Sequence, residues 1–225
     1  MTRGQTIKMK MSDGAEIGVY HVEPVGARRG GLVLIQEIFG VTQHIREISD
    51  EYAVDGYEVL APALFDREAP GLDAGFTPED LQHVIKIARE MHPFELSVAD
   101  SITCIDALKP KGPVFMTGYC YGGSVVWLTA CRSENLDAAS SYYGSLVARF
   151  VQEKPKCPVI LHFGEHDHGI PLDGVEKVKE AHPDVPVYIY DAGHAFNNSG
   201  RPDMYSAEAA KLARDRTLEL FRANG

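Results

Sequence analysis

The sequence predicts an α/β protein built on one mostly parallel sheet with helices on both faces. Three observations carry this. Short apolar runs alternate with stretches of helical period, the pattern of right-handed βαβ units. One run, Gly31-Leu32-Val33-Leu34-Ile35, is continuously apolar, as a strand covered on both faces must be. A strand, a glycine-flanked turn and a helix meet at Gly118-Tyr119-Cys120-Tyr121-Gly122-Gly123.

The elements follow in order. Ile7 to Met11 and Glu16 to Val22 each alternate apolar and polar residues, with the turn Ser12-Asp13-Gly14 between them. They predict an N-terminal antiparallel hairpin. After Gly31 to Ile35, further strands are expected at Tyr57–Ala61, Val114–Thr117, Ala138–Tyr142, Val159–Phe163 and Val187–Tyr190. Ile45, Ile48, Tyr52 and Ala53 form one face of a helix after Thr42. Leu96 to Leu108, Ser124 to Ala130, Val175 to Ala181 and Ser206 to Phe221 predict four more helices. Pro62 to Pro78 is the least regular stretch, suited to covering a site. With no linker composition anywhere, residues 1–225 are expected to form one domain.

Composition narrows the function. The chain has 225 residues, 44% of them hydrophobic, and a net charge of −10 with no basic block, so a nucleic-acid partner is not expected. No segment is long and apolar enough to predict a membrane span. The start, Met1-Thr2-Arg3-Gly4-Gln5, opens no apolar signal region, and the protein is expected in the cytoplasm. Four irregularly spaced cysteines do not form a disulfide framework, which also suits a reducing compartment.

The chemistry centres on Cys120. The G-x-C-x-G segment is a strand–turn–helix nucleophile elbow with sulfur in place of the serine oxygen. The helix start behind it offers free N–H groups to a developing anion. Cys104, Cys131 and Cys157 lie in helical or strand patterns and are expected to be structural. A thiol needs a base, and the base an orienting acid. The loop after Val159–Phe163 supplies Glu165-His166-Asp167, and the loop after Val187–Tyr190 supplies Asp191-Ala192-Gly193-His194. The order nucleophile, acid, histidine assigns Asp167 as acid and His194 as base, with Asp191 the alternative acid. The loop Gln36-Glu37-Ile38-Phe39-Gly40 is expected to furnish part of an oxyanion hole, pairing the Ile38 backbone N–H with that of Tyr121. A competing reading gathers His162, His166, Asp167 and His168 into a zinc or iron site. Against it, His162 alternates with Leu161 and Phe163 and should face the other way. A non-catalytic binding protein on the same scaffold is a third reading, which the complete triad opposes.

Taken together, Gln36-Glu37-Ile38-Phe39-Gly40, Gly118 to Gly123, Tyr142-Tyr143-Gly144, Gly164 to Asp167 and Gly193-His194-Ala195-Phe196 resemble the dienelactone hydrolase family (carboxymethylenebutenolidases), a branch of the α/β-hydrolase fold. The resemblance runs over nearly the whole chain. It implies a Cys120–His194–Asp167 triad without cofactor or metal. It implies that Glu37 contacts the resting thiol and accepts its proton when substrate arrives. It implies a small lactone or carboxylic ester as substrate, lined by Tyr143, Phe39 and Phe196. Members specific for dienelactone bind the substrate carboxylate with arginines, one of them shortly after the histidine. Here Asn198 stands at that place, with Arg201 beyond it and Arg67 and Arg89 as further candidates. A simple ester or thioester without a carboxylate is therefore the alternative substrate.

Overall fold

A computed structural model describes residues 3–225. Eight strands lie in one sheet in the order β1-β2-β4-β3-β5-β6-β7-β8: β1 Gln5–Lys10, β2 Glu16–Val22, β3 Gly30–Ile35, β4 Tyr57–Pro62, β5 Val114–Tyr119, β6 Ala138–Tyr142, β7 Val159–Gly164 and β8 Val187–Tyr190. β1 and β2 form the expected hairpin, and β2 also pairs antiparallel with β4. β3 pairs parallel with β4, β6 with β7, and β7 with β8. Among the described residues six α-helices accompany them, five between strands and the last after β8: α1 Gln43–Val54, α2 Pro78–Lys86, α3 Phe94–Leu108, α4 Tyr121–Arg132, α5 Leu172–Ala181 and α6 Ala207–Ala223. Two compact units are distinguishable, Met1–Phe115 and Met116–Gly225.

In the first unit, Leu32, Val33, Leu34 and Ile35 of β3 are wholly buried. Each such side chain contributes roughly 1.5–3 kcal/mol of burial, which is why an unbroken apolar run reads as a central strand. α1 begins where the Thr42 hydroxyl accepts from the Ile45 N–H, and buries Ile45, Ile48, Tyr52 and Ala53 as the period predicts. α2 is an element the apolar pattern did not predict. It is announced instead by a capping box, with Thr77 and Asp80 each accepting from the other's backbone and Pro78 in the first turn. It buries only Val84, so its apolar period is weak. A π-helical turn, Ile87–Met91, follows it.

β5 runs directly into α4 of the second unit, whose residues from Tyr121 through Cys131 are all buried. α4 therefore starts at the elbow, three residues ahead of the predicted Ser124. The elbow demands this, because the turn residue is itself the helix cap. α6 starts where Ser206 accepts from the Ala209 N–H. Among the described residues, no helix is long and apolar enough to cross a membrane.

Candidate active site

Among the described residues, the non-glycine positions with positive φ are Cys120, Tyr143 and Ala195. They lie just beyond β5, β6 and β8 in the second unit. Strained backbone of this kind persists only where surrounding contacts hold it, and it clusters at functional sites. Cys120 caps α4 with φ 55° and ψ −113°, and its thiol is half-exposed. Its N–H donates to the Tyr142 carbonyl at 3.0 Å, which ties the elbow to the end of β6. Gly123 makes that approach possible, since a Cβ there would lie 2.2 Å from the Tyr142 oxygen.

Asp167 and His194 come together across neighbouring loops. The Asp167 carboxylate accepts the His194 Nδ1–H at 2.6 Å, while its other oxygen accepts from the Gly169 N–H at 2.8 Å. The Asp167 side chain is fully buried. The two loops are stitched by backbone bonds: the Tyr190 carbonyl accepts from Glu165 and Ala192, and the Ala192 carbonyl from His166. Gly164 lets them close, because a Cβ there would sit 2.5 Å from the Ala192 oxygen and 2.6 Å from that of Gly193. This glycine stands at the very end of β7, the first residue of the Gly164-to-Asp167 motif.

Burial disfavours charge on His194, but hydrogen bonds to Asp167 and Cys120, together with their negative charge, outweigh it and raise its pKa to about 10. The same contributions link His194 to the Cys120 thiol. Asp191, the alternative acid, instead engages His166 Nε2 at 2.7 Å, with both side chains largely exposed. The other cysteines sit in environments unsuited to a nucleophile. Burial holds the Cys104 thiol far above its ordinary range and pushes Cys131 and Cys157 up to about 12.

Aromatic side chains frame the histidine. The buried Tyr143 ring lies 5.1 Å from the His194 ring and 5.1 Å from Phe196. Phe196 is fully buried against Tyr142, Tyr143 and Tyr190, so it supports the site from beneath. Tyr121, which follows Cys120, is the first residue of α4. Arg201 turns to Asp203, with Nε and one terminal nitrogen donating to the two carboxylate oxygens at 3.2 and 3.1 Å. Asn198 is buried and its side-chain oxygen accepts from the Gly200 N–H.

The Gln36–Gly40 loop belongs to the first unit. Glu37 is buried there, at 3% exposure, and Ile38 is half-buried. That burial excludes an ordinary solvated carboxylate at the end of β3. The Gln36 amide donates to the Glu37 carbonyl and accepts from the Leu64 N–H, bracing the loop against the one after β4. Phe39 packs edge-on to Phe76, with ring centres 4.8 Å apart. Arg67 grips Asp100 with two bonds, at 2.7 and 2.9 Å, and Asp13 with two more. Arg89 is exposed on the π-helical turn.

The metal reading fails on geometry. His162 is buried, and its ring nitrogens meet Tyr190 and Ser140 at 2.8 and 3.1 Å. His166 is committed to Asp191, Asp167 to His194, and His168 is exposed. Strand alternation sends His162 away from the others, as expected. A grouping of potential ligands does occur at His21, Glu23 and Glu58. There Glu58 already accepts from Arg28 at 2.9 Å and Lys111 at 2.6 Å, which answers its charge.

The model of the dienelactone hydrolase family matches residues 17–225. A carboxymethylenebutenolidase of Pseudomonas putida is 30% identical, over 96% of this chain and 94% of its own. A protein of Escherichia coli (strain K12), provisionally named a carboxymethylenebutenolidase, is 33% identical over 95% of this chain and 85% of its own. A crystal structure from Klebsiella pneumoniae, provisionally named a dienelactone hydrolase, is similar with a TM-score of 0.82 and 27% identity, covering 97% of this chain and 98% of that one. A dienelactone hydrolase-like promiscuous phosphotriesterase from metagenomic libraries shares the fold, with a TM-score of 0.74 at 20% identity.

Proposed function

This chain belongs to the dienelactone hydrolase family, and from that premise we propose that it hydrolyses small carboxylic esters or lactones through an acyl-enzyme formed on Cys120. The observation that carries this reading is the short His194–Asp167 bond on loops stitched together beside a strained, half-exposed cysteine.

In this mechanism the Cys120 thiol attacks the substrate carbonyl as its proton passes to Glu37. The backbone N–H groups of Ile38 and Tyr121 stabilise the tetrahedral oxyanion. His194, held protonated by the Asp167 carboxylate, gives its Nε2 proton to the departing alkoxide. The alcohol leaves, and Cys120 is a thioester. Water then attacks the thioester carbonyl and loses a proton to the now neutral His194. Collapse expels the thiolate, which recovers its proton from Glu37. Protons balance over the cycle: one water enters, and an acid and an alcohol leave. In a lactone the two products remain one molecule. Holding the thiol neutral until substrate arrives also limits its oxidation. Asp167 keeps the imidazole in the tautomer that makes both transfers possible, and Tyr143 lines the site beside His194.

The ion pairs of the arginines favour a substrate without a carboxylate. Arg67 is saturated by Asp13 and Asp100, and Arg201 faces Asp203. Freeing Arg67 would strand the buried Asp100 carboxylate, whereas the Arg201–Asp203 pair, exposed at Asp203, gives way more easily. A rate screen over small esters and lactones, each with and without a carboxylate, tests both points. Hydrolysis that disappears in Cys120→Ala supports the reaction, and absence of any hydrolysis counts against it. Faster turnover of the neutral member of each pair supports the substrate class, and the reverse preference returns Arg201 to a binding role.

A further inference from the structure

Behind the acid and base loops lies a buried polar chain that the proposed reaction does not use. It belongs to the second unit. His162 on β7 has no exposed surface and stacks on Tyr188, with ring centres 5.6 Å apart. Its Nδ1 lies 2.8 Å from the Tyr190 hydroxyl, and its Nε2 lies 3.1 Å from the Ser140 hydroxyl. Arg216 on α6 donates to the same Tyr190 hydroxyl at 3.0 Å and lies over the Tyr188 ring, 4.0 Å from its centre. Thr217 donates to the Ala213 carbonyl at 2.9 Å and meets the hydroxyls of Ser140 and Tyr142 at 2.7 and 2.8 Å.

These contacts admit one direction of donation that gives every hydrogen an acceptor. A guanidinium can only donate, so the Tyr190 oxygen accepts from Arg216 and spends its own hydrogen on His162 Nδ1. His162 is then the Nε2–H tautomer and donates to Ser140. Ser140 and Tyr142 donate to Thr217, which donates to the helix carbonyl. Burial, with Arg216 nearby, drives the His162 pKa down to about 3, so the chain stays neutral apart from Arg216. It carries no switch at working pH. Its consequence is geometric.

That consequence falls on Tyr190. This residue ends β8, four positions before His194. Its carbonyl is the point where the acid loop and the base loop meet, accepting from Glu165 at 2.8 Å and Ala192 at 2.7 Å. Its ring packs on Phe196, 5.2 Å between centres, and Phe196 packs on Tyr143, which packs on His194. Its hydroxyl is held from two sides by Arg216 and His162.

We propose that Tyr190 is a positioning residue for His194, its hydroxyl anchored by Arg216 and His162 so that ring and carbonyl together hold the base loop at its bond to Asp167. This rests on His194 acting as the catalytic base. The titratable groups facing His194 within its unit are the Asp167 carboxyl, the Cys120 thiol and the Tyr143 phenol, whose ring lies 5.1 Å away. Loosening the loop lengthens the bond to Asp167, so the His194 pKa falls from about 10 toward the ordinary 6.5.

The test compares Tyr190→Phe, which keeps the ring, with Thr217→Val, which removes the hydroxyl that meets Ser140, Tyr142 and, at 3.4 Å, His162 Nε2, and leaves the two bonds of the Tyr190 hydroxyl and the two of its carbonyl in place. Three quantities are measured on each purified protein: Tm, kcat and KM on one accepted ester, and the His194 titration midpoint by NMR of histidine-labelled protein. Both variants are expected to melt lower. Tyr190→Phe alone is expected to lower kcat by about tenfold, within the ~10²-fold that a 1 Å misplacement can cost. Its KM stays within about twofold, and its His194 midpoint moves down. An unchanged kcat and midpoint in Tyr190→Phe, or an equal shift in Thr217→Val, overturns the proposal and leaves a plain stabilising network. If Tyr190→Phe does not fold, Arg216→Gln, at a half-buried helix position, decides by the same midpoint. His194→Gln separates the two readings. Full turnover in that variant removes the base assignment itself, whereas its inactivity alongside a fully active Tyr190→Phe removes only the positioning role.

Discussion

Asp167→Asn isolates the electrostatic and tautomeric work of the buried acid without changing its size. The carboxylate serves two donors, His194 Nδ1–H at 2.6 Å and the Gly169 N–H at 2.8 Å. An amide has one acceptor oxygen, so either its NH₂ faces the Gly169 N–H or it faces His194. In the second case His194 must offer a lone pair at Nδ1 and carry its proton on Nε2, where the base is needed. Against the opposing effect of burial, the Asp167 hydrogen bond is the largest of the interactions that raise the His194 pKa from 6.5 to about 10. Losing one hydrogen bond to a charged group costs roughly 1.5–3 kcal/mol, or about 10- to 10²-fold in the proton transfers. With the wrong tautomer added, the loss in kcat should approach about 10³–10⁴-fold, as in serine triads. The assay is steady-state hydrolysis of one accepted ester, with circular dichroism to confirm folding and Asp191→Asn as the control. A loss below about tenfold in Asp167→Asn, or a comparable loss in Asp191→Asn, refutes the acid assignment.

Three further outcomes are expected. Gly164→Ala should force the acid and base loops apart, lowering stability by about 1–3 kcal/mol and depressing kcat, as read by thermal melts and kinetics; wild-type behaviour would mean the loops are not held by that close approach. Glu37→Gln should leave the fold intact and lower kcat/KM by about 10²-fold or more if the carboxylate takes the thiol proton, whereas an equal kcat/KM would leave Cys120 and His194 to act alone. His194 holds a folded pKa above its ordinary value, so the stability of its ion pair is complete below about pH 6.5 and is lost as pH rises through about 10. The Tm gap between wild type and Asp167→Asn should therefore narrow across that window, and a gap that widens with pH contradicts the assigned charge state.

Much of this architecture was legible because the chemistry is local in sequence. β3 reads as an apolar run and is buried throughout, whereas β2 alternates in sequence but, paired with both β1 and β4, buries all but Glu16 and His21. The proposed nucleophile, acid and base each lie on a loop after a strand, and both Asp167 and Asp191 fit their order, so sequence favoured Asp167 only because Asp191 shares the loop of His194. The structure supplies the reason, since Asp191 faces solvent and His166. What could not be read was long-range or polar. α2 buries one side chain and left no apolar period, though Thr77-Pro78-Glu79-Asp80 spelled its cap. Arg67 and Arg201 look available until their partners Asp100 and Asp203 appear, one 33 residues away. The chain through Ser140, His162, Tyr190 and Thr217 joins residues up to 77 positions apart, and no spacing rule reports such a network.

The covalent intermediate tests the central claim most directly. Wild-type protein mixed with excess of an activated ester, quenched in acid within the first turnovers and weighed by intact-protein mass spectrometry, should gain the mass of one acyl group. Proteolytic mapping should place that group on the peptide carrying Cys120, and Cys120→Ala should show neither the added mass nor turnover. Steady hydrolysis with no acyl adduct on that peptide, or an active Cys120→Ala protein, would contradict it.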